Sequence, residues 1–126
     1  MSILPKFKFK HIGTVINSPK EWQRYFLDLG FNNSFNQNQK SENTLVFVYN
    51  RKEFVNFLGN ELIHIESDSV LWFAYPKGTS NIKTDINRDI LRITGEDFLI
   101  TTVTAISLDD TWSALRFRPI DQVGEK

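Results

Sequence analysis

The chain has 126 residues and a mass of 14.7 kDa, 40% of its residues are apolar and 13% aromatic, and fifteen Lys and Arg balance fifteen Asp and Glu. That length suits one domain, 1–126, the apolar share is enough for a core, and zero formal charge argues against a polyanion binder held by its overall field. The absence of cysteine excludes disulfides, thiolate metal sites and a cysteine nucleophile.

Leu4-Pro5-Lys6-Phe7-Lys8-Phe9-Lys10 alternates Lys with Phe. Two readings stand for it. One is a short edge strand with its lysines outward, which would blunt the edge; the other is a lead-in segment, residues 1–10, whose two Phe pack under the domain. Gly13 to Asn17 reads as a buried strand. Ser18-Pro19-Lys20-Glu21 reads as a helix start, with Ser18 as cap, Pro19 in the first helical position and Glu21 completing a capping box. Trp22, Tyr25, Phe26 and Leu29 then form one apolar stripe, and Gly30 ends the helix. Residues 31–43 are amide-rich and read as a long surface connection.

Thr44 to Tyr49 is a continuous apolar run, as in a strand covered on both faces. Asn50 caps the next helix with Glu53 behind it, and Phe54, Phe57, Leu58 and Leu62 face inward. His64 follows as a helix-end or surface residue. Val70 to Tyr75 is a second fully apolar strand, and Pro76 to Lys83 is a loop by composition. Thr84 or Asp85 then caps a short helix with Ile86, Ile90 and Ile93 inward, ending near Gly95. Leu99 to Ile106 is strand-like, Ser107 to Thr111 is a turn, and Trp112 to Arg118 is the last strand, closed by Pro119. Residues 121–126 read as a frayed tail. No apolar run approaches the roughly 18–20 residues of a membrane span, and the N-terminus lacks an apolar signal core, so the expected compartment is the cytoplasm.

The order is β-α-β-α-β-α-β-β. It predicts an α/β fold: a three-layer sandwich around a mainly parallel five-stranded sheet with a C-terminal antiparallel hairpin. The last two strands are joined by a turn too short for a crossover, so they pair antiparallel. The expected strand order is 1-2-3-5-4, the fifth strand lying between the third and fourth. In open α/β sheets, ligands bind outside the carboxyl ends of the parallel strands. If the fourth strand runs parallel to the third, the Pro76–Lys83 loop and the Ser107–Thr111 turn share that edge. Lys77, Thr79, Ser80, Lys83, Asp85 and Arg88 then come beside Asp109, Asp110, Thr111 and Trp112.

The two stretches Leu71 to Asp89 and Asp109 to Pro119 resemble a bacterial family of small proteins of unknown function, with a pattern YPK-x-TS-x-IKTD-x-NRD … DDTWSALRFRP. The resemblance covers the C-terminal half and implies no activity. The element order is similar to the core of Rossmann-like methyltransferases, a likeness at the level of fold alone. Such an enzyme needs a glycine-rich turn after its first strand and an acid ending the next. Here the corresponding segments are Asn17-Ser18-Pro19-Lys20-Glu21 and Tyr49-Asn50-Arg51, so S-adenosylmethionine is not expected.

Lys77-Gly78-Thr79-Ser80 resembles the tail of a phosphate-binding loop but lacks its first glycine and reverses the Gly-Lys order. A generic anion site remains reasonable: the helix starting near Thr84 would offer free N–H groups, with Lys77, Lys83 and the Thr79 and Ser80 hydroxyls close by. Asp85, Arg88 and Asp89 can pair at helical spacing. Asp109 and Asp110 suit a turn better than a metal or acid–base pair. Trp112 is either a pocket wall or a core residue. Arg116 and Arg118 on a central strand need carboxylate partners if buried, for which Asp85, Asp89 and Asp109 are the candidates. Two histidines, His11 and His64, are too few for a hydrolytic zinc site and lie outside the signature half. No metal and no cofactor is implied, and the Lys6–Lys10 patch is too short to point to nucleic acid. The reading that follows is a binding or regulatory module for a small anionic or polar ligand, between loops 76–85 and 107–113. The alternatives are a structural or partner-binding domain, or a small enzyme with Asp85 or Asp109 as general base.

Overall fold

A computed structural model describes residues 4–123. Leu4–Phe7 forms one helical turn, α1, and not an edge strand. Phe7 is wholly buried, edge-on to Trp72, and its carbonyl oxygen accepts the Trp72 indole N–H at 2.8 Å. Phe9 stacks on Phe7, while Lys6, Lys8 and Lys10 stay exposed. The Lys/Phe alternation therefore encodes a strap with Phe inward and Lys outward. It runs from Lys6, whose ammonium reaches the Ser107 carbonyl oxygen at 3.4 Å, to Lys10, whose N–H donates to Asn43 Oδ1 at 3.0 Å. Residues 1–3 of the lead-in, and 124–126 of the expected tail, lie outside the described residues. Ile120–Gln122 of the tail form a 3-10 turn.

Five strands follow: β1 (Thr14–Ile16), β2 (Ser41–Phe47), β3 (Ile65–Pro76), β4 (Ile100–Ser107) and β5 (Trp112–Pro119). They form one sheet in the order β1-β2-β3-β5-β4, as the element pattern predicts. The β1–β2 and β2–β3 pairings are parallel, and β3–β5 and β5–β4 are antiparallel. Because β3 and β4 both oppose β5, they point the same way. β2 and β3 begin earlier than their apolar runs. Ser41 pairs with Ile65, and an irregularity between Ser41 and Asn43 absorbs the polar stretch that carries Asp68 at φ 55°.

Three longer helices connect the strands: α2 (Lys20–Asp28), α3 (Arg51–Asn60) and α4 (Arg88–Glu96). The expected Ser18 capping box is absent. Pro19 is extended and takes the cap position, its carbonyl accepting the Trp22 and Gln23 N–H groups, and the Ser18 hydroxyl turns to the Pro19 carbonyl. Phe26 is the buried anchor of α2; Leu29 is exposed beyond the helix end, and Gly30 takes the left-handed conformation there at φ 93°. Asn50 caps α3 as expected, its Oδ1 accepting the Glu53 N–H at 2.9 Å, with Phe54, Phe57 and Leu58 buried. The α4 cap is Asn87, which accepts the Ile90 N–H at 2.9 Å, and neither Thr84 nor Asp85 caps it. The later start turns Leu91, Thr94 and Gly95 inward and leaves Ile93, about 200° round the helix from Leu91, at 55% exposure.

Alternate strand residues feed two separate apolar clusters. Leu71, Phe73, Tyr75, Leu115 and Phe117 join Phe54, Phe57 and Leu91 of α3 and α4. Trp72, Ala74, Trp112 and Ala114 join Phe7 and Phe26. Each fully buried large side chain stabilises the fold by about 1.5–3 kcal/mol through area removed from water. Among the described residues no helix is long and apolar enough to cross a membrane.

Candidate functional site

The shared direction of β3 and β4 brings the stretches 71–89 and 109–119 together. The Lys77 N–H donates to the Thr111 carbonyl oxygen at 2.7 Å, and the Lys77 ammonium donates to the Ser107 hydroxyl at 2.6 Å. Connections 76–85 and 107–113 are thus neighbours at the carboxyl end of β3.

Several of the ten candidate residues have internal work. The Ser80 hydroxyl donates to the Lys77 carbonyl at 2.8 Å and accepts the Ile82 N–H at 3.3 Å, which closes the loop after β3. Asp85 accepts the Arg51 N–H at 2.8 Å, so it fastens this loop to the start of α3 and does not pair with Arg88. Thr84, beside it, donates to the Tyr49 carbonyl at 2.7 Å. Those bonds explain why neither residue is free to cap α4.

Asp109 is the most heavily used. Its Oδ1 accepts the N–H groups of Thr111 and Trp112, both at 2.8 Å, and its Oδ2 accepts the Trp22 indole N–H at 3.0 Å. This is an Asp-initiated turn of the kind its composition suggests. A carboxylate receiving three N–H donors has little lone-pair capacity left for proton abstraction. Trp112 is wholly buried, perpendicular to the Phe47 and Tyr49 rings, which is the core alternative of its two readings. Its indole N–H and Arg116 Nε are buried without a hydrogen-bond acceptor.

Thr79, Lys83, Arg88 and Asp110 are exposed. Among the described residues no carboxylate lies within ion-pairing distance of Lys77, Lys83 or Arg88. The free N–H groups of α4 begin at Arg88, four residues later than Thr84, so the helix start lies further along the connection than expected. Arg88 acts instead on Tyr75. Burial raises the Tyr75 phenol above its ordinary range, and the Arg88 charge and a hydrogen bond with Ser113 oppose that shift. Comparison of the chain with protein-family models, curated proteins and solved structures finds no match.

The partners expected for the β5 arginines are elsewhere. Arg118 forms a two-pronged pair with Asp68, Nε to Oδ1 at 2.8 Å and Nη2 to Oδ2 at 2.9 Å, and Asp85, Asp89 and Asp109 take no part. Asp68 sits at the irregular start of β3, a separation of fifty residues that no local spacing reveals. Its carboxyl is held below the usual range by the Arg118 hydrogen bonds and, with burial opposing, by the charges of Arg118, Arg116 and Lys10.

A polar cleft of about 450 Å³ also went unread. His11, Asn32, Lys40, Glu42 and Asn43 are among its lining residues. Asn43 is buried there with its amide nitrogen 3.2 Å from His11 Nδ1. The amide-rich run 31–43 was the only sign of it in the sequence.

Proposed function

We propose that the chain is a non-catalytic binding domain that takes a small anionic ligand at the edge formed by connections 76–85 and 107–113. We take the two core clusters as the two spaces of a three-layer sandwich, with this edge at the carboxyl ends of its parallel strands. The carrying observation is an imbalance of pairing. Asp85 and Asp109 spend their carboxylates on N–H groups, while Lys77, Lys83 and Arg88 have no carboxylate partner. The edge carries as many carboxylates (Asp85, Asp109, Asp110) as cations, so an anion is favoured by the unpaired state of Lys77, Lys83 and Arg88 and not by an excess of positive charge. The saturated Asp109 weighs against the general-base reading.

The test is thermal denaturation of the full chain with inorganic phosphate, pyrophosphate and a nucleotide panel. At least one of these raises Tm in the parent, by the mass-action stabilisation that binding to the native state confers. Lys83→Ala and Arg88→Ala, which remove no hydrogen bond within the chain, abolish the rise. Equal responses of parent and variants, or none in the parent, overturn the proposal.

A second reading, a domain that docks another protein, is favoured by one feature of the sheet: the open outer side of β4.

A further inference from the structure

The two edges of the sheet are treated differently. On the outer side of β1, the Val15 N–H donates to the Asn32 carbonyl at 2.9 Å and the Asn32 N–H donates to the Gly13 carbonyl at 3.0 Å, so that edge is covered by the chain itself. At the other end, β4 pairs only with β5 among the described residues. Its sequence, Ile100-Thr101-Thr102-Val103-Thr104-Ala105-Ile106-Ser107, has no charge and no proline. Edge strands usually carry such groups to discourage pairing with other chains. Val103, Thr104, Ala105 and Ser107 are exposed.

The register says which backbone groups are open. Leu108 donates to the Trp112 carbonyl at 2.9 Å, and 106–114 and 104–116 continue the same ladder two residues at a time. Thr104 and Ile106 therefore turn their backbone groups to β5, and Ala105 and Ser107 turn theirs outward. Lys6 already occupies the outward carbonyl of Ser107 at 3.4 Å, which limits the open stretch at that end. The bulge between Thr102 and Thr104 limits it at the other.

We infer that β4 pairs antiparallel with β4 of a second copy of this chain, about a two-fold axis near Ala105, joining the two sheets into one. The choice of a second copy rests on charge. Beside β4, α4 presents Arg88, Asp89 and Arg92 along a groove of about 560 Å³ that Thr102 also lines. A two-fold axis at the edge sets this groove against its own copy, and the set carries both signs, so Asp89 of each copy meets Arg92 of the other and Arg88 stays open. Asp89 has no ion-pair partner within its own chain among the described residues, and Arg92 has only the part-exposed Glu96 at 3.6 Å. An uncharged strand meets itself without like-charge repulsion, and a chain of zero net charge has no overall field to keep copies apart. An isologous contact of this kind closes on itself at two copies.

Light scattering after size exclusion, at about 100 µM chain, gives the parent a mass twice 14.7 kDa. Ala105→Pro removes one outward N–H without touching the β5 ladder, so it runs at the single-chain mass with an unchanged circular-dichroism spectrum. Ala105→Lys sets two like charges directly opposite each other at the axis and raises the dissociation constant at least about tenfold; it decides the matter if the proline variant does not fold. A single-chain mass for the parent overturns the inference, including the case where the edge takes an extended peptide. A folded Ala105→Pro variant that stays double also overturns it. Ala105→Pro leaves any response to phosphate in place, so the two proposals fail separately.

Discussion

The N–H of Lys77 and the carbonyl oxygen of Thr111 meet at 2.7 Å, and that one bond joins the connections after β3 and before β5 across thirty-four positions of chain. It follows from direction alone: β3 must leave the sheet at the end where β5 enters it. The residues flanking the bond divide their work. Asp109 and Ser80 hold the loops in shape, and the exposed Lys83 and Arg88 are left for solvent or a ligand.

Asp109 is the test of the holding role. Asp109→Ala strips the acceptor from three N–H donors and is expected to destabilise the chain by about 2–3 kcal/mol in urea unfolding, since bonds to a charged group are worth more than neutral ones. Trp22→Phe removes one of those donors and costs about 1 kcal/mol. The two effects are less than additive, because they share the Trp22–Asp109 bond. A loss under about 0.5 kcal/mol for Asp109→Ala would place the carboxylate outside the turn's stability.

The helix caps offer a sharper contrast. Asn87→Ala and Asn50→Ala each cost about 1 kcal/mol, because each removes the acceptor for a first-turn N–H. Ser18→Ala stays within about 0.5 kcal/mol of the parent, because its hydroxyl caps nothing. Chemical denaturation of the three variants settles the ranking, and a Ser18 effect as large as that of Asn87 contradicts the geometry.

Acid sensitivity follows from Asp68. Its carboxyl is lowered below 3.8 by Arg118, so the folded state holds the charged form more tightly than the unfolded state does. The stabilisation is complete above the unfolded carboxylate range and is lost as pH falls through the folded value. Asp68→Asn therefore lowers Tm at pH 7, and the gap from the parent closes as pH falls below 3.8. The groups are part-exposed, so the neutral-pH loss is modest and shrinks in high salt. A gap independent of pH between 7 and 2 would exclude the ion pair as its source.

Most of the strand order was legible because β1–β2, β2–β3 and β4–β5 join strands that are neighbours in sequence, which leaves β3–β5 as the one longer link. Alternating helical and apolar runs demand crossovers, and the short Ser107–Thr111 turn demands an antiparallel pair. What was not legible depended on competition at a distance. Thr84-Asp85-Ile86-Asn87 offers three capping side chains, and the last one caps because Tyr49 and Arg51 claim the first two. The Asp68 partner of Arg118 lies in the polar stretch before Val70, which carries no apolar pattern and is the start of β3. The candidate edge was found from topology, while the saturation of Asp109 needed the position of Trp22, eighty-seven residues away.

The strap that closes over Trp72 bears on the order in which this protein can be completed. Its Phe7 carbonyl waits for an indole sixty-five residues downstream, and Lys6 waits for a carbonyl one hundred and one residues downstream. On a ribosome, the strap therefore emerges well before the groups it docks on, and its two Phe travel uncovered until β3 has emerged. Contacts of such long separation make for slow folding, and they place the hazard of early aggregation in this strap.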